Sequence, residues 1–407
     1  MKFQYILLTI ALLFYFYSDG LCQAFDYRFD SSTQFFWGDD WLGDSQGIIS
    51  QYLKVNLSQG NNGGLSISGY GRIWDNFGNT TLRDTDEVRG RLYYLFLDYH
   101  LTEELSLKLG RQFINFSAGS SLMDGLTLDI RKIGPVGITF AGGRDVKFSM
   151  DSEHSRLGNY FAGLDIHLVN IKSLQLGGSY VRKYDEWDLA REEFGMNFRY
   201  LYKYVSPYAE VKYDALSKAV DEATVGLDIF PSSNLILKTE FYHAYPTFDS
   251  TSIYSVFAVD RYREYLFRAE YSLELPVTIY ASYVRQTYED NENADYYIAG
   301  ARFYPLKSLK IDTSLDYRNG YGGNIWGFEI DGDLNLNDKI SLAAGAQYDS
   351  YKRPDFSYED YDYAQRYWIG GRWLISKKSS LIVRIEDNIN ENFNHRPLGR
   401  IALNMSF

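Results

Sequence analysis

The chain has 407 residues, a formal net charge of −12 and a single cysteine, Cys22. An acidic balance argues against nucleic acid as a partner, because neutralising phosphates needs a basic face. One cysteine excludes intrachain disulfides, multi-thiolate metal sites and cysteine-attached haem, so stability must come from burial and backbone pairing.

Residues 1–24 read as a secretory signal peptide: Lys2, an apolar run over 5–17, and small residues before a cut near Ala24. The remainder, 25–407, reads as one unit, because no Pro/Ser-rich linker or composition break interrupts it. After the signal, no apolar run reaches the ~18 residues that mark a helical span. Aromatic residues nevertheless make up 17% of the chain, with Tyr (37) ahead of Phe (26) and Trp (7).

Apolar and polar residues alternate with period two along most of the chain, which places successive side chains on opposite faces of a strand. "DYRFDSSTQFFW" (26–37) and "IISQYLKVNLS" (48–58) begin the series. The segment 105–134 reads as a hairpin in which Leu105, Leu107 and Leu109 share a face while Ile114 and Phe116 take the opposite parity. That change of phase predicts a bulge near Gly110. Without a bulge, Arg111 would face lipid, unless the strand outruns the bilayer above Leu109. In 208–215, Ala209, Val211 and Tyr213 oppose Glu210, Lys212 and Asp214. In 308–318, Leu309, Ile311, Thr313, Leu315 and Tyr317 oppose Lys310, Asp312, Ser314, Asp316 and Arg318. In 325–336, Trp326, Phe328, Ile330, Leu334 and Leu336 oppose Glu329, Asp331 and Asp333. The chain stops inside one more such segment, "GRIALNMSF", with Ile401, Leu403, Met405 and Phe407 on one face.

These segments run ~10 to 14 residues, long for a soluble sandwich strand of ~5 or 6 and right for a tilted membrane-crossing strand. Their connections are read as alternating strictly between short turns (102–104, 134–135, 231–233, 274–276, 337–339) and longer loops (78–88, 149–158, 247–261, 289–295, 353–364). Short turns at one end and longer loops at the other are the asymmetry of outer-membrane barrels. Counting segments gives an all-β, antiparallel, up-and-down transmembrane β-barrel of about 22 strands, within a range of about 20 to 24. The short segment before the first strand leaves no room for a plug domain. Tyr and Trp near segment ends read as girdles at the two lipid–water interfaces.

Gly110-Arg111-Gln112 followed by Asp124-Gly125 resembles hairpins of porins and alginate-export-type outer-membrane barrels, and a terminal Phe407 resembles the last residue of Gram-negative outer-membrane barrels. The resemblance implies a location in the cell outer membrane. It also implies Phe407 as an assembly signal, with outer-membrane lipid and the barrel-assembly machinery as partners.

Assigning the polar parity to the lumen gives Glu210, Lys212, Asp214, Lys238, Glu240, Glu264, Arg268, Glu270, Lys310, Asp312, Asp316, Arg318, Glu329, Asp331, Asp333, Arg372, Arg384 and Glu386. Charges on a wet lumen escape the desolvation cost of a dry core. Glu329, Asp331 and Asp333 have no offsetting base on their own strand, and acidic rings favour cations. The acidic stretches 288–295 and 357–363 fall on the long-loop side.

His100, His154, His167, His243 and His395 show no metal-ligand spacing, although His167 shares a face with Asp165. Neither a Gly-x-Ser-x-Gly nucleophile turn nor a phosphate loop is present. No enzymatic activity, metal or cofactor is expected. Two functions remain. One is a porin-like channel for passive or selective passage of small solutes. The other is the barrel sheath of a porin–cytochrome electron conduit, holding a periplasmic multihaem cytochrome. A wide unplugged tube would leak, so inward-folding loops or a partner must fill it.

Overall fold

The computed structural model describes residues 25–39, 43–59, 64–77, 88–148, 153–154, 156–245, 261–273, 276–289, 292–321, 323–352, 362–391 and 393–407. The expected signal peptide, the side chain of His154 and most of the longer loops lie outside these residues, as do 290–291 and 357–361 of the two acidic stretches.

In chain order the strands are β1 (Phe25–Asp39), β2 (Ser45–Gln59), β3 (Leu65–Asn76), β4 (Arg89–His100), β5 (Leu105–Phe116), β6 (Gly119–Ile133), β7 (Val136–Asp145), β8 (Lys147–Phe148), β9 (Glu153–His154), β10 (Tyr160–Leu168), β11 (Leu174–Asp185) and β12 (Asp188–Tyr200). They continue as β13 (Val205–Asp214), β14 (Ala219–Ser232), β15 (Leu235–Ala244), β16 (Tyr262–Ser272), β17 (Val277–Tyr288), β18 (Asn293–Leu306), β19 (Leu309–Gly320), β20 (Asn324–Asn335), β21 (Ile340–Lys352), β22 (Asp362–Ser376), β23 (Ser379–Asn390) and β24 (Phe393–Ser406).

All but β8 and β9 form one closed 22-stranded antiparallel sheet, as the alternation predicts. Neighbours in sequence pair with each other, β7 pairs with β10, and the ring closes where β1 meets β24 from Asp30↔Ser406 to Gly38↔Leu398. Closure leaves no unpaired edge. In the small β8–β9 ribbon, β8 lies just before the loop expected over 149–158 and β9 lies within it. No helix among the described residues is long and apolar enough to cross a membrane, which says nothing of strands.

The outer face is apolar in continuous lateral rows. Tyr99, Leu107, Leu128, Phe140, Leu164, Tyr180, Phe194 and Tyr213 are successive cross-strand partners from β4 to β13. Partners directly opposite in a ladder point the same way. Elsewhere on this face Leu315 is 58% and Ile369 is 61% exposed. Such an exposed apolar band suits a lipid environment.

Two sequence expectations need correction. Connections at the loop end are not uniformly long: β5 and β6 are joined by 117–118, β11 and β12 by 186–187, and β13 and β14 by 215–218. The second concerns Gly110. β5 and β6 pair without a register shift from Leu105↔Ile130 to Phe116↔Gly119, so no bulge exists there. Leu109 and Ile114 differ in parity because they face opposite sides: Leu109 is 56% exposed outside, and Ile114 is buried inside.

Candidate functional site: the inner wall and an inward hairpin

The inner face is fixed by contacts between strands that are not neighbours in the wall. From β5 to β11 there are four strand spacings, about 19 Å of wall. Yet the β5–β6 turn reaches β11: Ser117 Oγ lies 2.8 Å from Ser179 Oγ, and the Ala118 N–H donates to Ser179 Oγ at 2.7 Å. The Lys183 ammonium donates to the Ser120 carbonyl at 2.6 Å. Contact across a closed ring is possible only on its inside. Extended chain from Gly110 to Ser117 spans about 23 Å, enough for the crossing.

The bend starts at a pair of glycines. Gly110 has φ +126° and partners Gly125. A Cβ on Gly110 would lie 2.4 Å from the Leu95 carbonyl oxygen, and one on Gly125 would lie 2.2 Å from that of Gly142. Just above, Arg111 and Asp124 form a two-pronged ion pair at 2.7 and 2.8 Å. Arg111 also donates to the Leu92 carbonyl, so its charge is paired rather than bare against lipid. Gln112 is buried; its amide donates to the Gly125 carbonyl at 3.2 Å and its oxygen accepts from the Thr127 hydroxyl at 2.9 Å. The Gly-Arg-Gln and Asp-Gly signature is thus the chemistry of a bend.

Beyond the bend the hairpin is held by a small apolar core inside the barrel. Ile114, Ala118 and Met123 pack with Ala141 of β7, Phe161 of β10 and Val181 of β11, with Phe116 against them. Glu193 of β12 is buried beside this core and pairs with Arg191 at 3.1 Å. Of the two ways expected to fill the bore, inward-folding loops or a partner, the described residues show one inward element, this hairpin.

Starting from Ser179, register carries the inner face around the ring. Ser106, Asp129, Thr139, Asp165, Ser179, Gly195, Lys212 and Glu222 are successive partners. Lys238, Arg268, Ser282, Ile298 and Asp316 form part of another row, and Arg302, Asp312, Asp331, Gly345, Trp368 and Glu386 part of a third. Lys310, Asp333, Ala343, Gly370, Arg384 and Arg400 belong to a fourth. Glu210, Glu240, Glu264, Glu270, Arg318, Glu329 and Arg372 share that face by the same registers. Asp214 shares it too, but it is buried and accepts from Leu216 N and the Ser217 hydroxyl, closing the 215–218 turn.

Most of these charges are paired along or across strands. The pairs are Lys212–Glu222 (3.3 Å), Lys238–Glu240 (3.0 Å), Arg268–Glu270 (3.3 Å), Arg302–Asp312 (3.0 Å) and Arg384–Glu386 (3.1 Å). The three acids of β20, unmatched within their strand, are partly offset from neighbours: Lys310 lies 3.8 Å from Asp333 and Arg366 lies 3.7 Å from Glu329. Asp331 stands between Asp312 and Gly345.

Two features were not read from the sequence. Acids and bases are unevenly spread around the ring: Asp312, Asp316, Glu329, Asp331, Asp333 and Asp349 outnumber Lys310 and Arg318 on β19–β21. On β22–β24 the bases Arg366, Arg372, Arg384, Arg396 and Arg400 outnumber acids such as Glu386. The second feature is tyrosine on the inner face. Tyr208 donates to Glu240 and Tyr262 to Glu264, and Tyr280 reaches Asp312 and Tyr242 reaches Glu222 at 3.2 Å each. Interfacial girdles are therefore not the sole reason for the excess of Tyr over Phe. The Tyr208 and Tyr280 rings lie flat on the wall where Gly226 and Gly300 leave room; an added Cβ would come within 2.4 Å of either ring. A glycine under an aromatic ring is the signal that could have found them.

His167 Nδ1 lies 2.7 Å from Asp165, and among the described residues no group of three His, Cys, Asp or Glu could hold a metal.

No protein-family model matches the chain, and no curated protein matches it. Solved structures do. The siderophore receptor PirA from Pseudomonas aeruginosa is 10% identical with a TM-score of 0.62, covering 94% of this chain and 80% of its own. The P pilus usher PapC translocation pore is 10% identical at 0.56, covering 93% and 99%. OccK7 (OpdD) from Pseudomonas aeruginosa is 11% identical at 0.51, covering 94% and 98%. At these identities the likeness is one of fold, and the fold is that of the large outer-membrane β-barrels.

Proposed function

We propose that the chain is an outer-membrane channel that passes small solutes through a charged bore narrowed on one side by the β5–β6 hairpin. The observation that carries this reading is the hairpin itself. An inward element anchored by its own core takes up room inside a wide barrel, as a channel's constriction does. The opposite side, lined by the acid-rich and base-rich arcs, is left for solutes. Outer-membrane lipid covers the apolar rows, and the barrel-assembly machinery is the expected partner in insertion. No catalytic step is assigned.

A porin–cytochrome sheath is less well supported, because the hairpin occupies space that an inserted cytochrome would need. Planar-bilayer recordings of the purified protein test the reading. Stepwise ion currents are expected, and replacing 112–122 by a short Gly/Ser turn should enlarge them. Negligible current together with a haem-bearing protein that co-purifies would overturn the channel in favour of the sheath.

A further inference from the structure

The bend creates a recess of about 810 Å³ between the inner wall and the hairpin, lined from β4, β5, β6, β7 and β10. Recesses of roughly 300–1,000 Å³ suit small ligands. Two rings form one flank: Tyr94 and Phe96, with centroids 5.7 Å apart, and the Lys108 ammonium 5.8 Å from Phe96. Phe116 of the hairpin contributes a third ring. Opposite stand Asp129 and Arg131 of β6.

The charges here come in balanced pairs. Lys108 lies 3.8 Å from Asp98, and Arg131 lies 3.6 Å from Asp129, which also accepts from the Thr139 hydroxyl at 2.9 Å. His167, which also lines the recess, is itself engaged with Asp165 at 2.7 Å, so the charged groups here are already paired and offer a free ion little Coulombic advantage. The recess does present charged donors and acceptors, which make strong hydrogen bonds to hydroxyl groups, beside rings that stack on flat C–H faces. That combination fits a neutral, hydroxyl-rich ring compound.

We propose that this recess is a binding site for a neutral mono- or disaccharide, met on the way through the bore. Phe96 and Phe116 stack on the pyranose, and Asp129, Arg131 and Lys108 bond its hydroxyls. The proposal rests on the channel reading for its role but not for its existence as a site. Binding must be weak enough to permit release, so millimolar half-saturation is expected.

The test has two arms using the full-length mature barrel and maltose as probe. In detergent micelles, saturation-transfer NMR should show saturable maltose binding. Phe96→Ala and Asp129→Asn should each raise half-saturation by about fivefold or more, while Phe96→Tyr keeps it near wild type. In planar bilayers, maltose should block the ion current saturably, with the same order among variants. Heat-modifiable gel mobility confirms that each variant is folded. Absence of saturable binding by maltose, sucrose and trehalose in micelles overturns the site, whatever the currents. Saturable binding of gluconate or phenylalanine in their place overturns the ligand class. Sugar binding in micelles with no current in bilayers leaves the site standing and sinks the channel.

Discussion

Gly125 of β6 sits backbone against backbone on Gly143 of β7, so close that a Cβ on either would come within 2.6 Å of the other's Cα. The two are ladder partners, and β6 stays paired with β7 as far as Met123↔Asp145, whereas β5 parts from β4 after Leu95↔Arg111. The glycine pair, with Gly110 beside it, is thus the crease about which the hairpin folds inward. Gly125→Val should therefore push the hairpin away from β7, at ~1–3 kcal/mol for the overpacking. Larger single-channel conductance from a barrel that still folds is the expected result. Wild-type conductance in the folded variant would show that the hairpin does not set the bore.

The tip's docking point can be locked. Ser117 and Ser179 approach to 2.8 Å through their hydroxyls, and the only native cysteine, Cys22, falls in the expected signal peptide. A Ser117→Cys, Ser179→Cys double variant should oxidise to a cross-link, visible as a reductant-sensitive gel shift. It should leave the mean current close to that of the reduced form. A large rise on reduction would mean that the hairpin swings free when unlocked.

The acids of β20 should set ion preference. Glu329→Gln, Asp331→Asn and Asp333→Asn together remove three negative charges from one inner strand face while leaving Lys310 and Arg366 unpaired. The cation-to-anion permeability ratio should fall, and fall further at 0.01 M salt than at 1 M. The Debye length is ~30 Å in the first and ~3 Å in the second. Reversal potentials in asymmetric salt measure the change; an unchanged ratio would exclude this strand from selectivity.

Barrel closure should depend on Phe407. Phe407 exchanges two backbone hydrogen bonds with Phe29, at 2.9 and 3.3 Å, completing the β1–β24 seam. Deleting Phe407 should lower the amount of folded barrel in the membrane without lowering secretion, as read by heat-modifiable mobility of membrane fractions. Leu403 partners Thr33 and Leu381 on the outer face. Leu403→Arg should cost ~2–4 kcal/mol if it lies near the midplane, measurable by urea unfolding in vesicles.

Much of the architecture was legible in the sequence because a strand declares its two faces locally. Period-two alternation is enough to count strands and to separate Leu315 from Asp316. The site was legible only in part. Alternation tells inside from outside but not what lies beside what on the inside. Glu329 reads as unmatched until Arg366, two strands away, reaches it. The acid-rich and base-rich arcs exist only because lateral rows join residues far apart in the chain. The inward hairpin was hidden for the same reason. Ile114 and Phe116 on a lumenal parity look like a phase error until Phe161 and Val181 meet them across the ring. Local sequence determines which way each side chain points; closure of the sheet brings distant inward faces together, and that alone decides where the barrel packs a core and where it stays open.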